Sequence, residues 1–185
     1  MSNKFEILMH QLDMPLEMRN SEAFLNAEIE KVLVHKVSRV WEFHFSFANI
    51  LPVEIFRELQ KRLAQEFSKT GNQAIFEIHC SAPQVTDELL QAYYQLAFEE
   101  GPCASHGFKS LYQDLQVHLD GDKLLIEGAS TIDTEHFRKN HLPSLSRQLV
   151  KYGFPHLTCQ VQHSDELTQQ QAEYLQKKNE SPRPD

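Results

Sequence analysis

The stretch Val40-Trp41-Glu42-Phe43-His44-Phe45-Ser46-Phe47 constrains this chain more than any other. Its aromatic rings recur at every second position, with Glu42, His44 and Ser46 between them. Successive side chains of a β-strand leave opposite sides of the pleat, so this alternation predicts a half-buried strand. Four rings of roughly 200 Å² each, at about 25 cal/mol per Å², make about 20 kcal/mol of gross burial, most of it offset by chain entropy. The rest of the unit must therefore cover Trp41, Phe43, Phe45 and Phe47, leaving Glu42, His44 and Ser46 as an outward row and a candidate docking face.

The 185 residues are enough for one domain or two small ones. Phe5, Ile7, Leu8 and Met9 are interrupted by Glu6 and His10 and lack a basic lead-in. They therefore make neither a membrane span nor a signal peptide, and a cytoplasmic protein without a membrane partner is expected. Three cysteines without regular spacing fit a reducing compartment. The formal charge of −8 disfavours general nucleic-acid coating. Residues 1–100 hold 9 Lys/Arg against 15 Asp/Glu, and residues 101–185 hold 9 against 11, so the first half is the poorer candidate for phosphate contact.

Along the chain, Phe5, Leu8, Met9 and Leu12 mark one face of a short helix ended by Pro15. A second short helix is expected near Glu22–Asn26. Glu30–Lys36 reads as a strand hairpinned to the aromatic ribbon through Val37-Ser38-Arg39. Pro52 suits a first helical position, and Ile55, Phe56, Leu59, Leu63 and Phe67 stripe a helix closed by Gly71. Ala74–Cys80 alternates as a strand, and Thr86-Asp87-Glu88 opens a helix burying Leu89, Leu90, Tyr93, Leu96 and Ala97. Gly101-Pro102 then breaks the pattern.

Beyond the break, a short helix over Lys109–Tyr112 precedes Leu115, Val117 and Leu119, which alternate up to Asp120-Gly121, a two-residue hairpin signal. Lys123–Glu127 returns. Asp133 is placed to cap a helix towards Tyr152, with a kink or restart at Pro143. Leu157, Cys159 and Val161 make a strand, and Ser164-Asp165-Glu166 caps a last helix. The order ββαβα thus occurs twice, near 30–99 and 115–178, predicting an α+β fold of two tandem three-stranded sheets with helices on one face. Domains are expected at 1–100 and 101–180, with a disordered tail at 181–185. The shared Asn-x-Leu-Pro of Asn49–Pro52 and Asn140–Pro143 reads as coincidence, since it opens one helix and interrupts the other.

Reactive chemistry finds little support in the residues. Cys103-x-x-His106 and Cys159-x-x-x-His163 suggest a zinc site, but residues four apart on a strand lie about 13 Å from each other, too far for two bonds of about 2 Å to one ion. His44 and His79 point outward without a clear partner, and His136, His141 and His156 read as surface. No nucleophile elbow, phosphate-cradling glycine loop or Gly-x-x-Gly is present. The expectation is therefore no catalytic residue, no metal and no cofactor. Arg138, Lys139, Arg147 and Lys151 make the second long helix basic, and Lys123 adds to them. Arg138 and Arg147 point to opposite sides of one continuous helix, so solvated charge is favoured over a phosphate-tracking stripe.

Several of these motifs together carry a family likeness. Trp41-Glu42-Phe43-His44-Phe45 and Leu51-Pro52, then Gly121-Asp122-Lys123-Leu124, Asp133-Thr134-Glu135 and Tyr152-Gly153-Phe154-Pro155, resemble in order the N-terminal region of PolC-type DNA polymerase III α subunits of low-GC Gram-positive bacteria. The likeness runs from about Phe5 to Lys178. It implies a first domain akin to the C-terminal, α-binding domain of the clamp-loader τ subunit and a KH-like second domain. It also implies that the polymerase and exonuclease domains lie beyond Asp185, so the chain is expected to be a fragment or a truncated reading frame. The resulting expectation is a non-catalytic docking module of DNA replication. Its candidate partners are the replicative helicase or clamp-loader τ, and the alternative is weak single-stranded DNA binding by the KH-like domain.

Overall fold

In the computed structural model, which describes residues 3–100 and 115–180, the aromatic ribbon is the middle strand of a three-stranded sheet. β1 (Glu28–His35) pairs antiparallel with β2 (Val40–Phe47), and β3 (Gln73–Cys80) pairs with β2 in parallel. A parallel return needs a crossover, supplied by α3 (Val53–Ser68). Phe43, Phe45 and Phe47 are buried as the alternation requires, and Ile55, Phe56, Leu59 and Leu63 of α3 are buried with them. α1 (Lys4–Gln11) brings Phe5 edge-on to Phe24, Phe45 and Phe47, with ring centroids 5.1–5.6 Å apart. α4 (Asp87–Glu99) adds Leu90 and Tyr93, and the Tyr93 hydroxyl donates to the Leu51 carbonyl at 2.7 Å.

The second sheet repeats this topology. β4 (Gln116–Asp120) pairs antiparallel with β5 (Lys123–Gly128), which pairs in parallel with β6 (Thr158–His163). The crossover is two helices, α5 (Thr131–Asn140) and α6 (Leu142–Lys151), and α7 (Asp165–Glu180) follows β6. Leu124, Ile126, Phe137 and Leu145 are fully buried. Gly128 is needed where β5 meets the first turn of α5, because a Cβ there would lie 2.5 Å from Thr134 Cγ2 and 2.7 Å from Leu115 Cδ2.

The α+β fold of two tandem small units is as the patterning predicts. Several local expectations are corrected. Of the kink or restart expected at Pro143, the structure shows the restart: two helices part at His141, and Pro143 is the second residue of the later one, where its missing N–H breaks no helical bond. Asn-x-Leu-Pro therefore leads into a helix in both units, with Pro52 just before its helix and Pro143 the second residue of its own. Ser130, whose hydroxyl accepts from the Asp133 N–H at 3.3 Å, is the cap in place of Asp133. Pro52 stands just outside α3 with extended ψ of 139°, so Val53 is the first helical residue. The second hairpin turns through Gly121-Asp122, with φ +61° at Gly121 as a type II′ turn requires. A four-residue helix α2 (Leu16–Arg19), unforeseen in a polar stretch, precedes a 3₁₀ turn over Glu22–Phe24.

By contacts, one compact unit takes in the chain up to Tyr93 together with Gln148–His156, and the other holds Tyr94–Arg147 and the chain from Leu157. Within the first, Tyr152 lies 5.1 Å from Phe56 and 5.0 Å from Tyr93 by ring centroid. Gly153 has φ +102°, and a Cβ there would come within 2.7 Å of Cys80 Sγ and 2.9 Å of Ile78 Cγ2. The expected helix at Lys109–Tyr112, the Gly101-Pro102 break, Cys103, His106 and the tail at 181–185 lie outside the described residues. No described helix is long and apolar enough to cross a membrane.

Candidate functional site

The sheet face opposite the aromatic core is built by register. Lys31, Leu33 and His35 of β1, Glu42, His44 and Ser46 of β2, and Ile75, Glu77 and His79 of β3 all point to that side. Glu42 and His44 were expected in an outward row, His44 without a clear partner. Their side chains are instead only 21% and 17% exposed, because neighbours on both flanking strands close over them. His44 Nε2 lies 2.8 Å from Glu42 Oε1, and its Nδ1 lies 3.9 Å from Glu77 Oε2. His35 Nε2 reaches the other Glu42 oxygen at 3.1 Å. Lys151 Nζ, in the same compact unit, holds Glu77 Oε1 at 3.4 Å. His79, likewise expected without a partner, pairs with Glu30 at 3.3 Å.

The His35 hydrogen bond, with help from His44 and against the opposing effect of burial, holds the Glu42 carboxyl below the usual carboxylate range. Leu33 and Ile75, exposed at 39% and 51%, frame this charged row with apolar surface. Ser46 is the small member of the row, and the ion pair of Glu30 with His79 links β1 and β3 on that side of the sheet.

The five cations proposed from sequence are spread over three elements. Arg138 and Lys139 end α5, whereas Arg147 and Lys151 belong to α6. Arg138 is bonded to Glu135 at 2.9 Å, Arg147 donates to Ser144 Oγ at 3.4 Å, and Lys151 faces Glu77. Lys123 opens β5 opposite Asp120. Cys159 lies 3.2 Å from Ser146 Oγ, and His163 lies 3.5 Å from Asp165. Among the described residues, the three side chains whose donor atoms come within 4.8 Å of one another are Glu42, His44 and Glu77. The Glu-x-His spacing was the signal for two of them; Glu77 enters only through the parallel register.

Comparison with known proteins decides the family. A model described as DNA polymerase III polC-type N-terminus I matches residues 4–78, and one described as N-terminus II matches residues 92–182. The chain belongs to the PolC-type DNA polymerase III family, as its N-terminal region. It is 92% identical over 180 residues to a DNA polymerase III PolC-type of Streptococcus sanguinis and 61% identical over 179 residues to one of Streptococcus pneumoniae. Each match covers 97% of this chain. A Streptococcus pyogenes PolC-type protein is 47% identical over 169 residues, 91% of the chain. The chain spans 12% of the length of these PolC-type relatives. No solved structure matches it.

Proposed function

We propose that this N-terminal region is a non-catalytic, cytoplasmic docking module of a replicative polymerase, the whole protein being a DNA-directed DNA polymerase with 3′–5′ exonuclease activity. The observation that carries this reading is the outer face of the first sheet. There a preformed, interlocked charged row is framed by exposed Leu33 and Ile75, so that apolar surface and satisfied polar groups lie side by side as they do in protein interfaces. The dispersed cations of α5 and α6 favour a protein partner over single-stranded DNA, because phosphate tracking needs cations aligned along one groove. The τ-like and KH-like characters of the two units belong to the same proposal, with the replicative helicase and clamp-loader τ as candidate partners.

The test is to titrate the chain against helicase, τ and single-stranded DNA at two salt concentrations, with Leu33→Asp and Ile75→Asp beside the parent. Saturable binding of one protein partner, lost in those variants, supports docking through this face. Tight, steeply salt-dependent DNA binding with no protein partner overturns it in favour of nucleic-acid recognition by the second unit.

A further inference from the structure

We propose that Glu42, His44 and Glu77 form a three-ligand binding site for a divalent transition-metal ion of the zinc type, with Lys151 and His35 orienting the ligands. The reasoning begins with the sheet. Residues two apart on a strand share a face, and a register partner on the next strand stands beside them. Glu42 and His44 are such a pair on β2, and Glu77 is the register partner of His44 on β3. All three ligands are thus carried by paired strands, which fixes their separation better than loops do.

Distance and chemistry agree with that placement. Bonds of about 2.0–2.2 Å at tetrahedral angles separate neighbouring donor atoms by about 3.4 Å. One donor atom from each of Glu42, His44 and Glu77, a single imidazole nitrogen among them, lies within 4.8 Å of the other two, a spread that small side-chain rotations bring to that value. One imidazole nitrogen and two carboxylate oxygens suit zinc and its first-row neighbours, and three protein ligands leave a fourth position for water.

A second layer of contacts holds the ligands. The Glu77 oxygen that faces His44 is Oε2, while Oε1 is held by Lys151 at 3.4 Å. The Glu42 oxygen that faces His44 is Oε1, while Oε2 is held by His35 at 3.1 Å. Each carboxylate therefore has one oxygen held by an outer partner and the other beside the His44 ring, and such outer partners are what orient metal ligands. The three ligands are half-buried, with exposures of 17–37%, so the ion would meet them from the open side of the sheet. This inference is independent of the docking proposal, since it concerns the chain alone.

The experiment is a titration of the chain, without any partner, by Zn²⁺ in a calorimeter and by Co²⁺ followed by its visible ligand-field bands. One ion per chain is expected, with bands of tetrahedral or five-coordinate Co²⁺. Affinity should fall at least about tenfold in His44→Ala and in Glu77→Gln, and by a smaller factor in Lys151→Ala. His136→Ala, far from the three ligands in sequence and on a helix of the other compact unit, should bind as the parent does. Glu42→Gln is the isosteric check should His44→Ala lose its circular dichroism signal. No saturable binding at millimolar metal, binding of several ions with equal affinity, or unchanged affinity in folded His44→Ala and Glu77→Gln would each overturn the site.

Discussion

The middle strand of the first sheet buries Phe43, Phe45 and Phe47, whereas the corresponding strand of the second buries Leu124, Ile126 and Gly128. Both sheets nevertheless pair antiparallel and then parallel, in the same order. Alternation and connection length therefore specify the topology, and residue identity specifies how each core is filled. The outer rows differ as well. In the first, Glu42 meets two imidazoles within 3.1 Å, whereas in the second Glu127 meets His118 at 3.8 Å and the Gln162 amide at 2.7 Å. One topology thus supports a dense titratable cluster on one sheet and a sparse one on the other.

The largest expected effect tests the aromatic core against the aliphatic one. Phe45 is fully buried among Phe5, Phe43, Phe47 and Phe76. Phe45→Ala should cost about 3–5 kcal/mol and Leu124→Ala about 2–5 kcal/mol in urea denaturation. The single tryptophan, Trp41, reports the first unit. If Phe45→Ala left the Trp41 transition unmoved, the ring cluster would not be what holds that sheet.

Glycines sharpen the same contrast. Gly153→Ala would combine a left-handed backbone with a Cβ crowded by Cys80 and Ile78, whereas Gly121→Ala would meet nothing within 4 Å. The expected losses are about 2–4 kcal/mol and about 1 kcal/mol respectively, read as shifts of the denaturation midpoint. Equal losses would mean that the turn after α6 relaxes freely.

Thiol reactivity comes next. Burial pushes the Cys80 thiol up to about 11 and also raises Cys159, whose hydrogen bond to Ser146 opposes the rise. The thiolate fraction at Cys80 should then fall about 100-fold, so a disulfide reagent at mildly alkaline pH should label folded Cys80 far more slowly than the denatured chain. Labelling of Cys80 at the denatured rate would contradict its burial beside Gly153.

Mild acid should separate the units by a smaller margin. Desolvation, with the nearby His136, lowers the His141 pKa below 6.5. Its neutral form stabilises the fold above about pH 6.5, and that contribution disappears as pH falls through the lower folded value. Glu42, lowered from 4.5, loses its contribution by the same sign only in stronger acid. NMR-resolved urea titrations should therefore show the second unit weakening first, by less than about 1 kcal/mol after solvent screening. Softening of the first unit ahead of the second would reverse the assignment. The smallest effect belongs to Arg138→Glu with Lys139→Glu, which should leave both transitions in place because these side chains are exposed. Unchanged binding to every candidate ligand would then remove that helix from consideration.

Most of the fold was legible because its signals are local. Period-two alternation at 40–47 and 73–80, the stripe of Ile55, Phe56, Leu59 and Leu63, and the glycine of the second hairpin each specify an element without reference to anything distant. The candidate site was legible only in part. Glu42 and His44 could be assigned a face, but not their partners, since His35 and Glu77 arrive through strand pairing and Lys151 lies more than a hundred residues away in the chain. The helix break beside Pro143 was legible, because proline interrupts the apolar spacing there, although its place at His141 was not.

Which residues must be covered, and in what order strands and helices succeed one another, follow from the chain alone, because side-chain period and apolar content are properties of neighbouring residues. The gathering of Glu42, His44 and Glu77, and the membership of Tyr152-Gly153-Phe154 in the first compact unit, exist only once the chain is folded. Register and close packing are set by contacts between segments far apart in the chain, and no local pattern encodes them.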